Sequence, residues 1–151
     1  MVKHIFDSAA LSQAEAQARE LHSAKRIPEA VTVLRGVLAA RLELHGERHF
    51  QTINARSGLA RSLRAIRQYD ECFLIYSENI RIHQEKLGPE HPQTLRSLSR
   101  LANTYFAAVR YQDAKPMFED ILARRVKVLG WDHPDTLRSR SSLANTLAAL
   151  G

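Results

Sequence analysis

The sequence is poor in the features that mark secreted, membrane and metal-cluster proteins. Its 151 residues include one cysteine, Cys72, which excludes an internal disulfide and a cluster of thiolate ligands. No apolar run approaches the roughly 18 residues that a membrane-spanning helix requires, so no membrane partner is expected. The first residues lack the apolar core of a signal peptide. We therefore expect a cytoplasmic protein.

Signatures of catalysis and of cofactor binding are also missing. The six glycines form no phosphate-binding loop, and the sequence contains neither a nucleophile elbow nor a His-Glu-x-x-His pair. Serine, histidine and aspartate are frequent, but no pattern groups them. We therefore expect no enzymatic activity and no cofactor.

A repeat of 42 residues organises the chain. Moving the segment 88–104 forward by 42 positions superimposes nine residues on identical ones. They are Gly88, His91, Pro92, Thr94, Leu95, Leu101, Ala102, Asn103 and Thr104, and the histidines give the offset, 133 − 91 = 42. The segment 46–69 falls into the same register, and a weaker copy precedes it. Several windows with one period indicate tandem repeats. We divide one domain, residues 1–151, into tiles of about 8–45, 46–87, 88–129 and a partial tile 130–151.

Apolar residues recur with a helical period in every tile, and no segment alternates with the period of a strand. The patterns predict an all-α fold with two helices in each complete tile. The predicted helices cover about 9–24, 28–44, 50–66, 70–87, 92–108, 112–129 and 134–150. The end of the chain reads like a turn about to continue. We expect a fragment of a longer array, with a capping role or self-association of the last helix as alternatives.

Small residues recur where paired helices must approach closely. They are Ala60, Ala102 and Ala144 in first helices, and Ala30, Cys72 and Ala114 in second helices. The pattern Leu101-Ala102-x-x-Tyr105, followed by Tyr111-x-x-Ala114-x-x-x-Phe118, resembles the tetratricopeptide repeat. The inter-tile segments 87–94 and 129–136 read Leu-Gly-x-x-His-Pro-x-Thr, which resembles the kinesin light chain class of these repeats. The resemblance implies a right-handed α-solenoid of about seven helices that binds peptides on its first helices.

The recurring histidines His49, His91 and His133 invite a metal interpretation, because acidic residues lie beside them. They lie a full tile apart, however, whereas a zinc site needs several ligands around one point. We expect no metal. The spacing favours a loop that hydrogen-bonds its imidazole and then enters a helix.

The charge is basic, at +6, and 17 of the 22 cationic residues are arginine. A coding bias towards arginine would explain the total, so position has to decide. If first helices line the concave face, one polar stripe faces the groove and is almost free of acidic residues. The predicted peptide-binding residues on this stripe are Arg61, Arg64, Arg96, Arg100, Asn103, Arg138 and Asn145.

Arginine binds carboxylates through two parallel hydrogen bonds, and asparagine can pair with a peptide backbone. The sequence therefore predicts a non-catalytic scaffold, part of a larger protein or assembly, that binds an acidic or extended peptide of a partner protein. Nucleic-acid binding through the same arginines ranks lower, because the stripe offers one aromatic ring, Phe106, for base stacking. The sequence is also compatible with an oligomerising arm of a signalling protein, or with a solvated polar face that binds no ligand.

Overall fold

The computed structural model describes residues 7–151 and shows seven helices in this range, with no strand. In chain order they are α1 (Ser8–Ser23), α2 (Ile27–His45), α3 (Phe50–Ala65), α4 (Tyr69–Leu87), α5 (Pro92–Ala107), α6 (Tyr111–Leu129) and α7 (Pro134–Leu150). The predicted all-α class and number of helices are confirmed. Every predicted helix end lies within one residue of the observed end.

Histidine caps the helix that follows each inter-tile loop. The Nδ1 atoms of His49, His91 and His133 accept hydrogen bonds from the backbone N–H groups of α3, α5 and α7, at 3.1–3.2 Å. Each bond satisfies one of the N–H groups that the first turn of a helix leaves without an intrahelical partner. The predicted structural role of these loops is confirmed. Asp7 caps α1 in the same way, accepting from Ala10 N–H at 2.7 Å.

The turns within tiles share one strained backbone position. Lys25, Arg67 and Val109, one period apart, all have a positive φ of 61–64°. In each turn the next residue donates its N–H to a carbonyl five residues earlier, at 2.8–2.9 Å. This is the Schellman arrangement, which usually places glycine at the left-handed position. Here the position is filled by side chains for which that conformation is unfavourable.

The chain divides into two compact units, Met1–Ile75 and Tyr76–Gly151, with the division inside α4. In the first unit α2 packs against α1 and α3, around a core of Leu11, Val37, Ala40 and Ala55. In the second unit α6 packs against α5 and α7. Its core contains Ala102, Ala114, Phe118 and Ile121. The assignment of residues 1–151 to one domain of four tiles stays a prediction.

Five of the six small residues lie where the helices of a tile cross, and these are fully buried. Cys72 is one of them: its thiol donates to the carbonyl of Ala60 at 3.1 Å. Burial raises the pKa of this thiol to about 11, so it stays protonated at neutral pH. Ala144 differs from the others because it is exposed.

The crossing of α5 and α6 gives a prediction with an internal control. Ala102→Leu should lower the free energy of unfolding by about 1–3 kcal/mol, because the added carbons have no room. Ala144→Leu makes the same change at the equivalent, exposed position and should stay within about 0.5 kcal/mol. Urea denaturation measures both. Equal losses would show that the crossing is not tightly packed.

The strained turn at Val109 gives a second prediction. Val109→Gly should raise the free energy of unfolding by about 1 kcal/mol, because glycine adopts the left-handed conformation without a steric penalty. Little packing is lost, since this side chain is 68% exposed. Val109→Ala keeps a Cβ atom and should gain less. A thermal melt that ranks alanine above glycine would contradict this explanation.

Candidate functional site

The predicted basic stripe is distributed over both units. Arg61 and Arg64 belong to the first unit, and the other five predicted residues belong to the second. Each unit contains a hollow between its first helices. We name them the α1–α3 hollow and the α5–α7 hollow.

The α1–α3 hollow has a volume of about 540 Å³. Arg61 lines it, whereas Arg64 does not. The hollow also contains a carboxylate from α1, so its charge is mixed. Its charged and polar lining residues are Glu15, Arg19, His22, Ser23, Asn54, Arg61 and Ser62.

His22 is the titratable group of the α1–α3 hollow. Its Nδ1 lies 3.3 Å from the hydroxyl oxygen of Ser62. Burial lowers the pKa of His22, and the positive charges of Arg61 and Lys25 lower it further. At neutral pH the ring is therefore a neutral hydrogen-bonding group.

The α5–α7 hollow is smaller, about 220 Å³, and more strongly basic. It brings together four of the predicted residues, Arg96, Arg100, Asn103 and Arg138. The fifth predicted residue of this unit, Asn145, is exposed on α7 and does not line the hollow. The other polar lining residues are Ser99, Arg125, Asp135, Ser139 and Ser142. Four arginines thus face one acidic residue.

Arg125 is a lining arginine that was not among the predicted binding residues. It lies on α6, a second helix, and it is only 6% exposed. Its Nη1 donates to Ser139 Oγ at 2.7 Å and to the backbone carbonyl of Asp135 at 3.1 Å. Burial lowers the pKa of Arg125 more than the nearby Asp135 carboxylate raises it. The positive charges of Arg96 and Arg138 lower this pKa further.

The 42-residue period itself could have revealed Arg125. The equivalent positions in the preceding tiles are Arg41 and His83, and all three side chains are buried. His83 Nδ1 lies 2.8 Å from Ser97 Oγ. Since Ser97 and Ser139 are equivalent by the same period, His83 and Arg125 each contact a serine at the corresponding position of the next first helix. A buried arginine or histidine at this position on the second helix of each complete tile is therefore a feature of the repeat.

The remaining charges differ in how they are compensated. Arg138 forms a salt bridge with Asp135 at 2.5 Å, although its own side chain is largely exposed. Arg96 is exposed and forms no salt bridge with any residue in the described range 7–151. Such a guanidinium can bind an incoming anion without first breaking an internal ion pair.

Residues 58–125 match the family model of the tetratricopeptide repeat. This segment therefore consists of tetratricopeptide repeats. Repeats of this kind generally mediate protein–protein interaction, and their folds are typically non-catalytic scaffolds. A protein partner is therefore the expectation for this chain. Among the described residues, every helix is too short or too polar to span a bilayer.

The solved structures to which this chain is similar include repeats of the predicted class. Two are crystal structures of a kinesin light chain-like protein of Podosopora anserina with nearly identical TPR-like repeats. They are 28% identical to this chain, with TM-scores of 0.84 and 0.83. The matches cover 98% and 97% of this chain and 70% of each of those chains. The predicted resemblance to kinesin light chain repeats is confirmed, and so is the α-solenoid class.

A third structure is that of BtubC (BKLC) from P. vanneervenii. It is 19% identical, with a TM-score of 0.80, and the match covers 93% of this chain and 56% of that one. At this identity the likeness concerns the fold alone. No curated protein matches the sequence.

The buried histidine of the second unit gives a prediction about pH. Burial lowers the pKa of His83, and the charges of Arg100, His91 and Lys86 lower it further. The His83 imidazole therefore binds a proton more readily in the unfolded chain than in the folded one. The contribution of His83 to the free energy of unfolding is fully present above its unfolded pKa of about 6.5. It is lost as the pH falls from there through the folded pKa.

Urea denaturation at about pH 7.5 and about pH 5 measures this loss. His83→Gln should shrink the difference between the two conditions. Part of the difference should remain, because the pKa of His22 is lowered in the same direction, and His22→Gln should remove a further part. A His83→Gln protein with the full wild-type difference would show that His83 does not contribute to it.

Proposed function

We propose that this chain is a non-catalytic scaffold, part of a larger protein or assembly, that binds an acidic or extended segment of a partner protein. The observation that carries the proposal is the α5–α7 hollow, where four arginines face a single acidic residue. The proposed contacts are Arg61 and Arg64 in the first unit, and Arg96, Arg100, Asn103, Arg138 and Asn145 in the second. A cytoplasmic location, expected from the sequence, belongs to the same proposal.

Arg96 is the residue best suited to recognise a carboxylate. It is exposed, and no described carboxylate pairs with it. A guanidinium offers two parallel N–H donors to a carboxylate, and such charged hydrogen bonds are stronger than neutral ones. Asn103, in the same hollow, has an amide that can both donate to and accept from a peptide backbone.

Nucleic-acid binding through the same arginines is the weaker alternative. Single-stranded nucleic acid binds where aromatic rings are free to stack on bases. Phe106, the aromatic residue of the predicted stripe, packs instead against the core of the second unit. Its ring centroid lies 5.0 Å from that of Tyr111. This arrangement favours a peptide over a base as the ligand.

The exposed face of α7 favours self-association as a second candidate function. Leu137 and Ala144 are exposed there, whereas Leu95 and Ala102, their equivalents on α5, are fully buried. In the preceding tile Ala102 packs in one cluster with Ala114, Phe118 and Ile121 of α6. We propose that a helix of a second copy covers the exposed face of α7. Sedimentation equilibrium tests this: Leu137→Asp should shift a dimer towards monomer, and a wild-type chain that stays monomeric would contradict the idea.

The peptide proposal predicts a dependence on the position of charge. Arg96→Glu should weaken binding of a short, fluorescein-labelled, glutamate-rich peptide at least tenfold, because it replaces an attractive charge by a repulsive one. Affinity should also fall with added salt, since exposed charges are screened over about 8 Å at physiological ionic strength. Fluorescence polarisation measures both effects.

Arg140→Glu is the matched control, because it makes the same change in net charge on an exposed arginine of the same unit. Arg140 lies over the ring of Trp131, at 5.9 Å from its centroid, and does not line the hollow. Equal loss with both variants would mean that binding reflects diffuse positive charge. Tight binding of a single-stranded oligonucleotide that depends on Arg96 alone would favour the nucleic-acid alternative.

A further inference from the structure

The two units contain the same buried arginine in different electrostatic surroundings. Arg41 and Arg125 lie two periods apart (125 − 41 = 84) and are 1% and 6% exposed. In the first unit, α1 supplies an anionic partner: Glu15 forms a salt bridge with Arg41 at 3.5 Å. Gln51 accepts a further hydrogen bond from Arg41 at 3.0 Å. The buried charge of Arg41 is therefore compensated within the protein.

The corresponding carboxylate is missing in the second unit. The residue two periods after Glu15 is Ser99, a neutral side chain that lines the α5–α7 hollow. The hydrogen bonds of Arg125 go to uncharged oxygens, a backbone carbonyl and the hydroxyl of Ser139. The nearby carboxylate of Asp135 pairs with Arg138 instead. Burying a guanidinium without a paired anion is costly.

The other side chains of this hollow add to the positive charge. Arg96, Arg100 and Arg138 line it together with Arg125, and Asp135 is the one acidic residue of the lining. The excess is three positive charges around a space of about 220 Å³. Ser99 and Ser142 line the same space, and Ser99 Oγ donates to the backbone carbonyl of Leu95 at 2.9 Å. The hollow thus combines fixed positive charge with small, neutral side chains.

We propose that the α5–α7 hollow binds the phosphoryl group of a phosphorylated side chain in the partner's acidic segment. This inference rests on the function proposed above and specifies the ligand of the same hollow. A phosphoryl group carries a charge of about −1.5 to −2 at neutral pH and three acceptor oxygens. It matches an excess of three positive charges better than a single carboxylate does. Arginine clusters are a recurring means of recognising such groups.

The missing carboxylate suggests a direct test. Ser99→Glu places a carboxylate at the position that Glu15 occupies in the first unit, where it should pair with Arg125 and occupy the anion site from within. We expect this variant to bind a phosphoserine peptide at least tenfold more weakly and to unfold at a higher urea concentration. Ser77→Glu adds the same charge at an exposed position outside the hollow and should change neither.

The probes are two short fluorescein-labelled peptides that differ at one position, phosphoserine or glutamate, read by fluorescence polarisation. Wild-type protein should bind the phosphoserine peptide at least tenfold more tightly. Arg96→Gln should remove much of that preference, whereas Arg140→Gln should preserve it. Inorganic phosphate should compete only weakly, because the group is recognised as part of a peptide.

Each contrary outcome overturns the proposal. Equal affinity for both peptides would refute phosphoryl recognition and leave the acidic-peptide function standing, whereas no binding of either would refute both. Undiminished affinity of Ser99→Glu for the phosphoserine peptide would place its binding site elsewhere. Inorganic phosphate that binds as tightly as the phosphoserine peptide would identify the ligand as the free anion.

Discussion

Close contact between α5 and α6 depends on the absence of side-chain bulk at their crossing. Ala102 and Ala114 are fully buried, and Phe118 and Ile121 pack around them in one cluster. The small side chains let the helices approach, and the larger ones fill the space on either side. Because interiors are close-packed, neither part can change volume without affecting the other.

The repeat also determines where buried basic residues lie, because the same position on each second helix carries one. The equivalent positions of Arg41, His83 and Arg125 are buried in all three complete tiles, so a basic residue there must find partners on neighbouring first helices. Arg41 finds a carboxylate and Arg125 does not. Repetition thus fixes the geometry of these sites while single substitutions vary their chemistry. Differences between equivalent positions are therefore where function is best sought in this protein.

The helices could be predicted from the sequence because their ends are encoded locally. The capping histidines and the turns after α1, α3 and α5 depend on neighbouring residues, which explains why the predicted ends lie within one residue of the observed ones. The hollows depend on packing and were only partly predictable. Arg125 was missed because α6 was expected to face outwards, whereas the long side chain of this buried residue reaches the hollow. Whether Arg64 and Asn145 line a hollow depended on side-chain placement, which periodicity does not determine.

The contacts of His83 with Ser97 and of Arg125 with Ser139 join the second helix of one tile to the first helix of the next. Each tile therefore needs a particular tile after it. A synthetic array made by copying residues 88–129 would set every copied Arg125 beside a copy of Ser97, which is equivalent to Ser139. An array made from residues 46–87 would instead set every copied His83 beside Ala55, which has no hydroxyl, and would leave a buried imidazole without its partner. Tiles with the same helices thus differ in the hydrogen bonds that they can form with the next tile.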